Sequence, residues 1–265
     1  MDLPELGLGT YRLTDPDDCA TAVETALGTG YRHVDTAEYY GNEAAVGEGI
    51  ASSPVDRDDV FLATKVWRDR LGRDAFPESA RERVDALGVD AVDLLYVHWP
   101  LGTYDPDETL PALLEARERG LTRHVGLSNF TPPLLDEAID RLGEPPAAHQ
   151  VEMHPLCQQD DLRAHARRHD YPLVAYAPIA RNAVADVPEI REVAEKHDAT
   201  PAQVSLAWAL NKESVAVIPK SGTPEHIREN YRAMELDLDD EDVARIDGIT
   251  REERVVDPGD APWNR

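Results

Sequence analysis

At 265 residues the chain is long for one small domain and short for two, and a single α/β barrel of roughly 250 residues is the natural fit. Hydrophobic residues make up 42% and charged residues 30%, which supplies a full core and excludes wholesale disorder. Acids outnumber bases 52 to 27, a net charge of −25, which argues against nucleic acid and anionic membranes as partners because both need a basic footprint.

Apolar strand-like runs alternate with amphipathic helical runs. Leu6–Tyr11 reads as the first strand and is followed by a helix over Asp15–Leu27, opened by Thr14 and stopped near Gly28 and Gly30. Strand His33–Ala37 precedes helix Glu43–Ala51, strand Phe61–Val66 precedes helix Pro77–Leu87, and strand Val92–His98 precedes helix Leu110–Arg119. Strand Val125–Asn129 leads to helix Pro132–Leu142, and strand Gln150–His154 to helix Asp161–Arg168. After strand Leu173–Ala177 come two helices, Pro188–His197 and Pro201–Asn211, one of them an insertion. Strand Val215–Pro219, helix Pro224–Met234 and an extra helix over Asp239–Ile249 complete the chain. The strands are short and rich in Val and Leu, as strands covered on both faces should be. Eight such units predict a single-domain (β/α)8 TIM barrel with two extra helices. An open doubly wound sheet competes, but its Gly-rich phosphate turn is missing: GLGTYR is not G-x-G-x-x-G.

No apolar run approaches the roughly 18 residues of a membrane span. The start MDLPELGLGT lacks the charged and apolar regions of a secretory signal, so a cytoplasmic monomer is expected. Cys19 and Cys157 alone cannot make a disulfide framework. Lysine occurs only at 65, 196, 212 and 220. An acidic, lysine-poor surface is similar to those of cytosolic proteins of salt-accumulating halophiles, and stability is expected to need salt screening.

In a barrel the chemistry sits at the C-terminal ends of the strands. Those ends carry, in order, Thr10 and Tyr11; Asp35 with Tyr39 and Tyr40; Lys65 and Trp67; His98 and Trp99; Ser128 and Asn129; Gln150, Glu152 and His154; Tyr176; and Lys220 with Ser221. One reaction such a set could serve is hydride transfer to a carbonyl, which leaves an alkoxide that needs a proton, and a phenol has a pKa near 10. A neighbouring ammonium lowers it. Tyr40 is therefore the candidate general acid, Lys65 its tuner, Asp35 the anchor of Lys65, and His98 the group that polarises the carbonyl oxygen. Tyr39 is the rival phenol, and the Tyr-Gly-Asn-Glu register favours Tyr40. His165 and His169 stand four apart on a helix, but no H-E-x-x-H pattern accompanies them; no metal is expected and the pair reads as a solvated face.

HVDTAEYYGNEAAVG, FLATKVW, LLYVHWP, HVGLSNF, HQVEMHP, LVAYAPIA and IPKSGTPEHIREN resemble, in order and spacing, the signature segments of the aldo-keto reductases. The resemblance covers nearly the whole chain and implies an NAD(P)H-dependent carbonyl reductase on a (β/α)8 barrel, with the same four roles for Asp35, Tyr40, Lys65 and His98. It implies a cofactor site from Thr10, Tyr11, Asp35, Ser128, Asn129, Gln150, Tyr176, Lys220, Ser221, Gly222, Thr223, His226, Glu229 and Asn230. Tyr176 would offer a flat ring, and Arg228 and Arg181 would add positive charge. Six residues past Lys220 the family often has an arginine for the 2′-phosphate; His226 stands there without the guanidinium fork, so NADPH is expected with NADH admitted. Tyr11, Tyr39, Trp67, His98 and Trp99 should line the pocket for a small-molecule carbonyl substrate. The short segment Arg254–Arg265 predicts an open site, with Trp263 either folded back to line it or a surface anchor. The alternative class is a cofactor-sensing binding protein on the same barrel, which an intact tetrad disfavours. A phosphate-binding isomerase or aldolase is the weaker third reading.

Overall fold

The computed structural model describes residues 1–264. Its strands are β1 (Gly7–Gly9), β2 (His33–Asp35), β3 (Phe61–Val66), β4 (Val92–Val97), β5 (Thr122–Ser128), β6 (His149–Glu152), β7 (Leu173–Tyr176) and β8 (Val215–Ile218). They form one sheet in that order with parallel neighbours throughout. The sheet closes on itself. The Gly9 N–H donates to Pro219 O at 3.1 Å and the Val217 N–H to Glu5 O at 2.7 Å. Closure demands glycine at position 9, since a Cβ there would lie 2.7 Å from the Ile218 carbonyl oxygen. The open doubly wound alternative is thereby excluded.

The helices are α1 (Pro16–Thr29), α2 (Glu43–Ser52), α3 (Ala75–Leu87), α4 (Pro106–Glu118), α5 (Pro132–Leu142), α6 (Asp160–His169), α7 (Pro188–Lys196), α8 (Pro201–Leu210), α9 (Pro224–Tyr231) and α10 (Asp240–Asp247). Their starts follow capping chemistry. The Asp15 carboxylate, not Thr14, caps α1 by accepting the N–H groups of Asp17 at 3.0 Å and Asp18 at 3.1 Å. Asp105 does the same for α4, accepting from the Asp107 N–H at 2.8 Å, so this helix opens four residues before the first strongly apolar position at Leu110. Reciprocal capping boxes open α8 (Thr200 with Gln203) and α10 (Asp239 with Asp242).

Successive strand residues face opposite sides, so two cores form. One lies between sheet and helices. The other fills the barrel with Ala63, Leu94, Tyr96, Ala148, Val174, Ala216 and Ile218, against which Leu3 and Phe61 pack. Carried one step further along each strand, the inward alternation that places Ala63, Tyr96, Ala148 and Val174 delivers Lys65, His98, Gln150 and Tyr176 to the C-terminal mouth. Most strands stop before their sequence-predicted ends. Thr10, Thr36, His98, Asn129 and Met153 each give one last N–H to the neighbouring strand, and Asn129 and Ala177 turn away with left-handed φ of 65° and 48°.

The surface is acidic, and three of the four lysines are spoken for. Lys65 is buried; Lys196 binds Asp239 at 2.6 Å and Asp242 at 2.8 Å, and Lys212 binds Asp247 at 2.6 Å. Lys220 is exposed and makes no ion pair among the described residues. His165 is buried rather than solvated. Its Nε2 meets Asp136 at 3.0 Å and its Nδ1 the Tyr171 hydroxyl at 2.6 Å, while its ring stacks on His169, whose Nε2 accepts from Arg168 at 3.2 Å. No helix among the described residues is long and apolar enough to cross a membrane.

Candidate active site

A buried ion pair lies at the base of the mouth. Lys65 Nζ, on β3, lies 2.5 Å from Asp35 Oδ1, on β2, and donates to Thr36 O at 2.8 Å. Gln150 Nε2 donates to Asp35 Oδ2 at 2.8 Å. The two charged side chains are 0% and 1% exposed. Burial pulls the Lys65 pKa down, and the Asp35 carboxylate pulls it back up.

Tyr40 comes from the single 3-10 turn Glu38–Tyr40 after β2, which ends at Gly41 with φ 66°. The turn is pinned from behind. Asn42 Nδ2 donates to the carbonyls of Thr10 and Leu13, and its Oδ1 accepts from the Thr36 hydroxyl. The half-buried Tyr40 ring then faces three groups: Lys65 Nζ 5.2 Å from its centroid, the Tyr11 ring at 5.1 Å and the His98 ring edge-on at 5.9 Å. Tyr39 points elsewhere, more than half exposed and stacked on Trp67 at 4.1 Å. The sequence register thus chose the right phenol to neighbour the lysine.

The phenol's acidity differs from the sequence expectation. Burial raises the Tyr40 pKa well above its ordinary value, and the Asp35 charge pushes the same way. Lys65 does not reverse this, because Asp35 and Thr36 already take two of its three N–H groups. Tyr40 is therefore fully protonated at neutral pH. His98 is neutral, its pKa driven well below the ordinary value by burial and then by the Lys65 charge. Its Nδ1 is buried without a partner among the described residues. An orphaned N–H is rarer in proteins than an under-used acceptor, so the proton belongs on Nε2.

Asn129 links the two walls of the site. Its Nδ2 donates to His98 O at 3.0 Å and to Ser128 Oγ at 3.1 Å, and its Oδ1 accepts from the Tyr176 hydroxyl at 2.8 Å. Ser128 is wholly buried behind it. A cavity of about 740 Å³ is lined by Thr10, Tyr11, Asp35, Tyr39, Tyr40, Trp67, His98, Trp99, Asn129, Gln150, Tyr176 and Lys220, all of them sequence candidates. Ser221, Gly222, Thr223, His226, Glu229 and Asn230 lie outside it, on the loop after β8 and on α9; His226 is exposed and Asn230 buried. Arg181 lines the cavity, whereas Arg228 lies on a separate groove with Glu229.

Several lining residues carry no sequence signal: Arg12, Arg68, and above all Val255, Val256, Asp257 and Pro258. The C-terminal segment closes one side that its shortness had suggested would be open. Trp263 does not line the cavity. It packs on Trp99 at 5.6 Å, donates to Asp257 Oδ1 at 2.9 Å and is covered by Arg254. Glu38 lies within the segment HVDTAEYYGNEAAVG but carries no expected role there: its Oε2 accepts from the Trp67 N–H at 2.7 Å and from the Ser79 hydroxyl at 3.1 Å, which fixes the aromatic wall beside Tyr40.

Comparison with known proteins decides the class. The aldo/keto reductase family model matches residues 5–251. The chain belongs to the aldo/keto reductase family. It is accordingly an oxidoreductase. It is 42% identical to methylglyoxal reductase DkgB of Escherichia coli O157:H7 over 269 residues, covering all of both chains. Among solved structures it is similar to a putative 2,5-diketo-D-gluconic acid reductase B (TM-score 0.93, 38% identity, covering 98% of this chain and 92% of that one). It is also similar to an aldo-keto reductase of Bombyx mori solved in complex with NADP (TM-score 0.89, 30% identity, 97% and 92% covered). The aldo/keto reductase segments contain the ends of seven of the eight strands, all but that of β1.

Proposed function

We propose that this aldo/keto reductase reduces aldehydes and ketones to alcohols with NADPH, admitting NADH, and that Tyr40 is the proton donor. The observation that carries the reading is convergence: Tyr40, Asp35, His98, Gln150 and Tyr176 line one cavity, with Lys65 buried against Asp35 at its base. About 740 Å³ is in the range of small-ligand sites. The residues present fit a nicotinamide dinucleotide. Tyr176 has a ring for a flat heterocycle, Gln150 an amide, and Lys220 an unpaired cation at the rim, near the first N–H groups of α9. Bound there, the reduced nicotinamide supplies a hydride to the carbonyl carbon.

The chain's own work is done at oxygen. The His98 Nε2–H donates to the carbonyl oxygen and draws charge onto it. The Tyr40 O–H bond breaks as its proton passes to that oxygen, and the phenolate left behind is stabilised by the Lys65 ammonium. Asp35 keeps Lys65 charged against its burial. Solvent returns the proton to Tyr40. A phenol with a raised pKa stands loaded for this step, so Lys65 acts on the product phenolate rather than by pre-ionising the acid.

Initial rates on a carbonyl panel test this reading. The names of the relatives put methylglyoxal and 2,5-diketo-D-gluconic acid first. Turnover with NADPH is expected, with NADH within about tenfold, because His226 offers the 2′-phosphate no guanidinium; His226→Arg should raise the NADPH preference by about tenfold. A hundredfold NADPH preference in the wild type would show that His226 is no obstacle. No turnover of any carbonyl with either cofactor would end the reading.

We further read the enzyme as a cytoplasmic monomer of a salt-rich interior, on the strength of its dispersed acids and scarce lysine. The melting temperature is expected to climb steeply between dilute buffer and molar KCl, since salt relieves repulsion among like charges. Full stability in dilute buffer speaks for an ordinary cytosol.

A further inference from the structure

We propose that Glu152 is a positioning residue that clamps the C-terminal strap, residues 253–258, and thereby sets the substrate-side wall of the cavity; this rests on the carbonyl-reductase reading. Glu152 ends β6, two residues after Gln150. The same inward alternation brings both to the mouth, where they act in opposite directions. Gln150 turns to Asp35, and Glu152 turns to the strap.

Its carboxylate is buried, and among the described residues no lysine or arginine pairs with it. In place of a cation, both oxygens take backbone N–H groups. The Val255 N–H donates to Oε1 at 2.6 Å and the Val256 N–H to Oε2 at 2.9 Å, across about a hundred residues of sequence. Oε1 also meets His154 Nε2 at 2.8 Å. Charge-assisted bonds of this kind are roughly twice as strong as neutral ones.

The strap has no helix or strand of its own, so side-chain anchors decide where it lies. Val255, Val256, Asp257 and Pro258 all line the cavity. Other contacts hold the strap at other points: the Glu253 N–H donates to Leu156 O at 2.8 Å, Trp263 Nε1 donates to Asp257 Oδ1 at 2.9 Å, and Arg68, itself on the cavity wall, pairs with Asp260 at 2.8 Å. Glu152 is the one that grips the two residues where the strap enters the cavity wall. No part of it is assigned to the reacting atoms, and Asp35, Lys65, Tyr40 and His98 do not bond to it.

Glu152→Gln tests the clamp, because a carboxamide keeps one acceptor and turns an N–H₂ group against a backbone N–H. Hydrogen exchange at the Val255 and Val256 amides is expected to speed up about tenfold or more. KM for the dicarbonyl substrate should rise about tenfold, with kcat, its pH profile and the NADPH dissociation constant each within about twofold. Val256→Pro removes one clamped N–H from the strap side without disturbing the barrel, and should raise KM alike. The double variant should be no worse than the poorer single one, since both break the same contact. Unchanged exchange at both amides, additive KM effects, or a loss confined to kcat would overturn the clamp. If the wild type reduces no carbonyl, the functional reading fails on its own, and the exchange measurement still decides the clamp.

Discussion

Tyr40→Phe is expected to lower kcat for carbonyl reduction by about 10²–10⁴-fold, the range set by removing a positioned general acid. NADPH binding, followed by fluorescence titration, should stay within about twofold, because the phenyl ring keeps its packing against Tyr11 and His98. The pH profile carries the sharper information. The raised pKa of Tyr40 keeps the acid protonated through neutrality, so reduction should be flat there and decline only at strongly alkaline pH. Alcohol oxidation needs the phenolate and should climb with pH over the same range. His98, with its lowered pKa, should add no inflection near 6.5. Substantial turnover by Tyr40→Phe would remove the proton-donor assignment, and an inflection near neutrality lost in that variant would show a phenol tuned downward.

Lys65→Met should lose activity and stability together. Without the ammonium the phenolate has no stabilising charge, and kcat should fall by about 10²–10³-fold, as when one preorganised donor is removed. The Asp35 carboxylate would keep Gln150 and lose its only cation at hydrogen-bonding distance. Breaking a buried pair from one side costs about 3–5 kcal/mol. The double variant Asp35→Asn with Lys65→Met separates the two losses. Its melting temperature should recover most of the way while its turnover remains absent. A Lys65→Met enzyme that melts like the wild type would mean that the pair carries little of the fold, and an active double variant would take Lys65 out of the chemistry.

The barrel was legible because short, near-continuous apolar runs rich in Val and Leu report a sheet covered on both faces, and all eight strands appear where those runs put them. Their ends were less legible for a physical reason. Thr10, His98, Asn129 and Ala177 directly follow the apolar runs in sequence, but there the regular pairing ends and the backbone begins to build the mouth. The start of α4 was hidden behind Pro106–Thr109, a polar stretch made helical by the Asp105 cap. The tetrad was readable from residue types at strand ends. The direction of the Tyr40 shift was not, since burial and the nearness of Asp35 exist only in three dimensions. Nor could spacing reveal the strap: Val255 and Val256 have no periodicity, and their place depends on a carboxylate about a hundred residues away.

The distribution of primary amines has a practical side. Lys65 is sealed inside, Lys212 is buried against Asp247, and Lys196 is gripped by two aspartates. That leaves Lys220, on the rim of the cavity, as the side-chain amine free to react. Amine-directed coupling of the folded enzyme to a resin or dye would therefore divide between the exposed α-amine of Met1 and the enzyme's own doorway, and carboxyl-directed attachment on the acidic flanks is the route that keeps the doorway open.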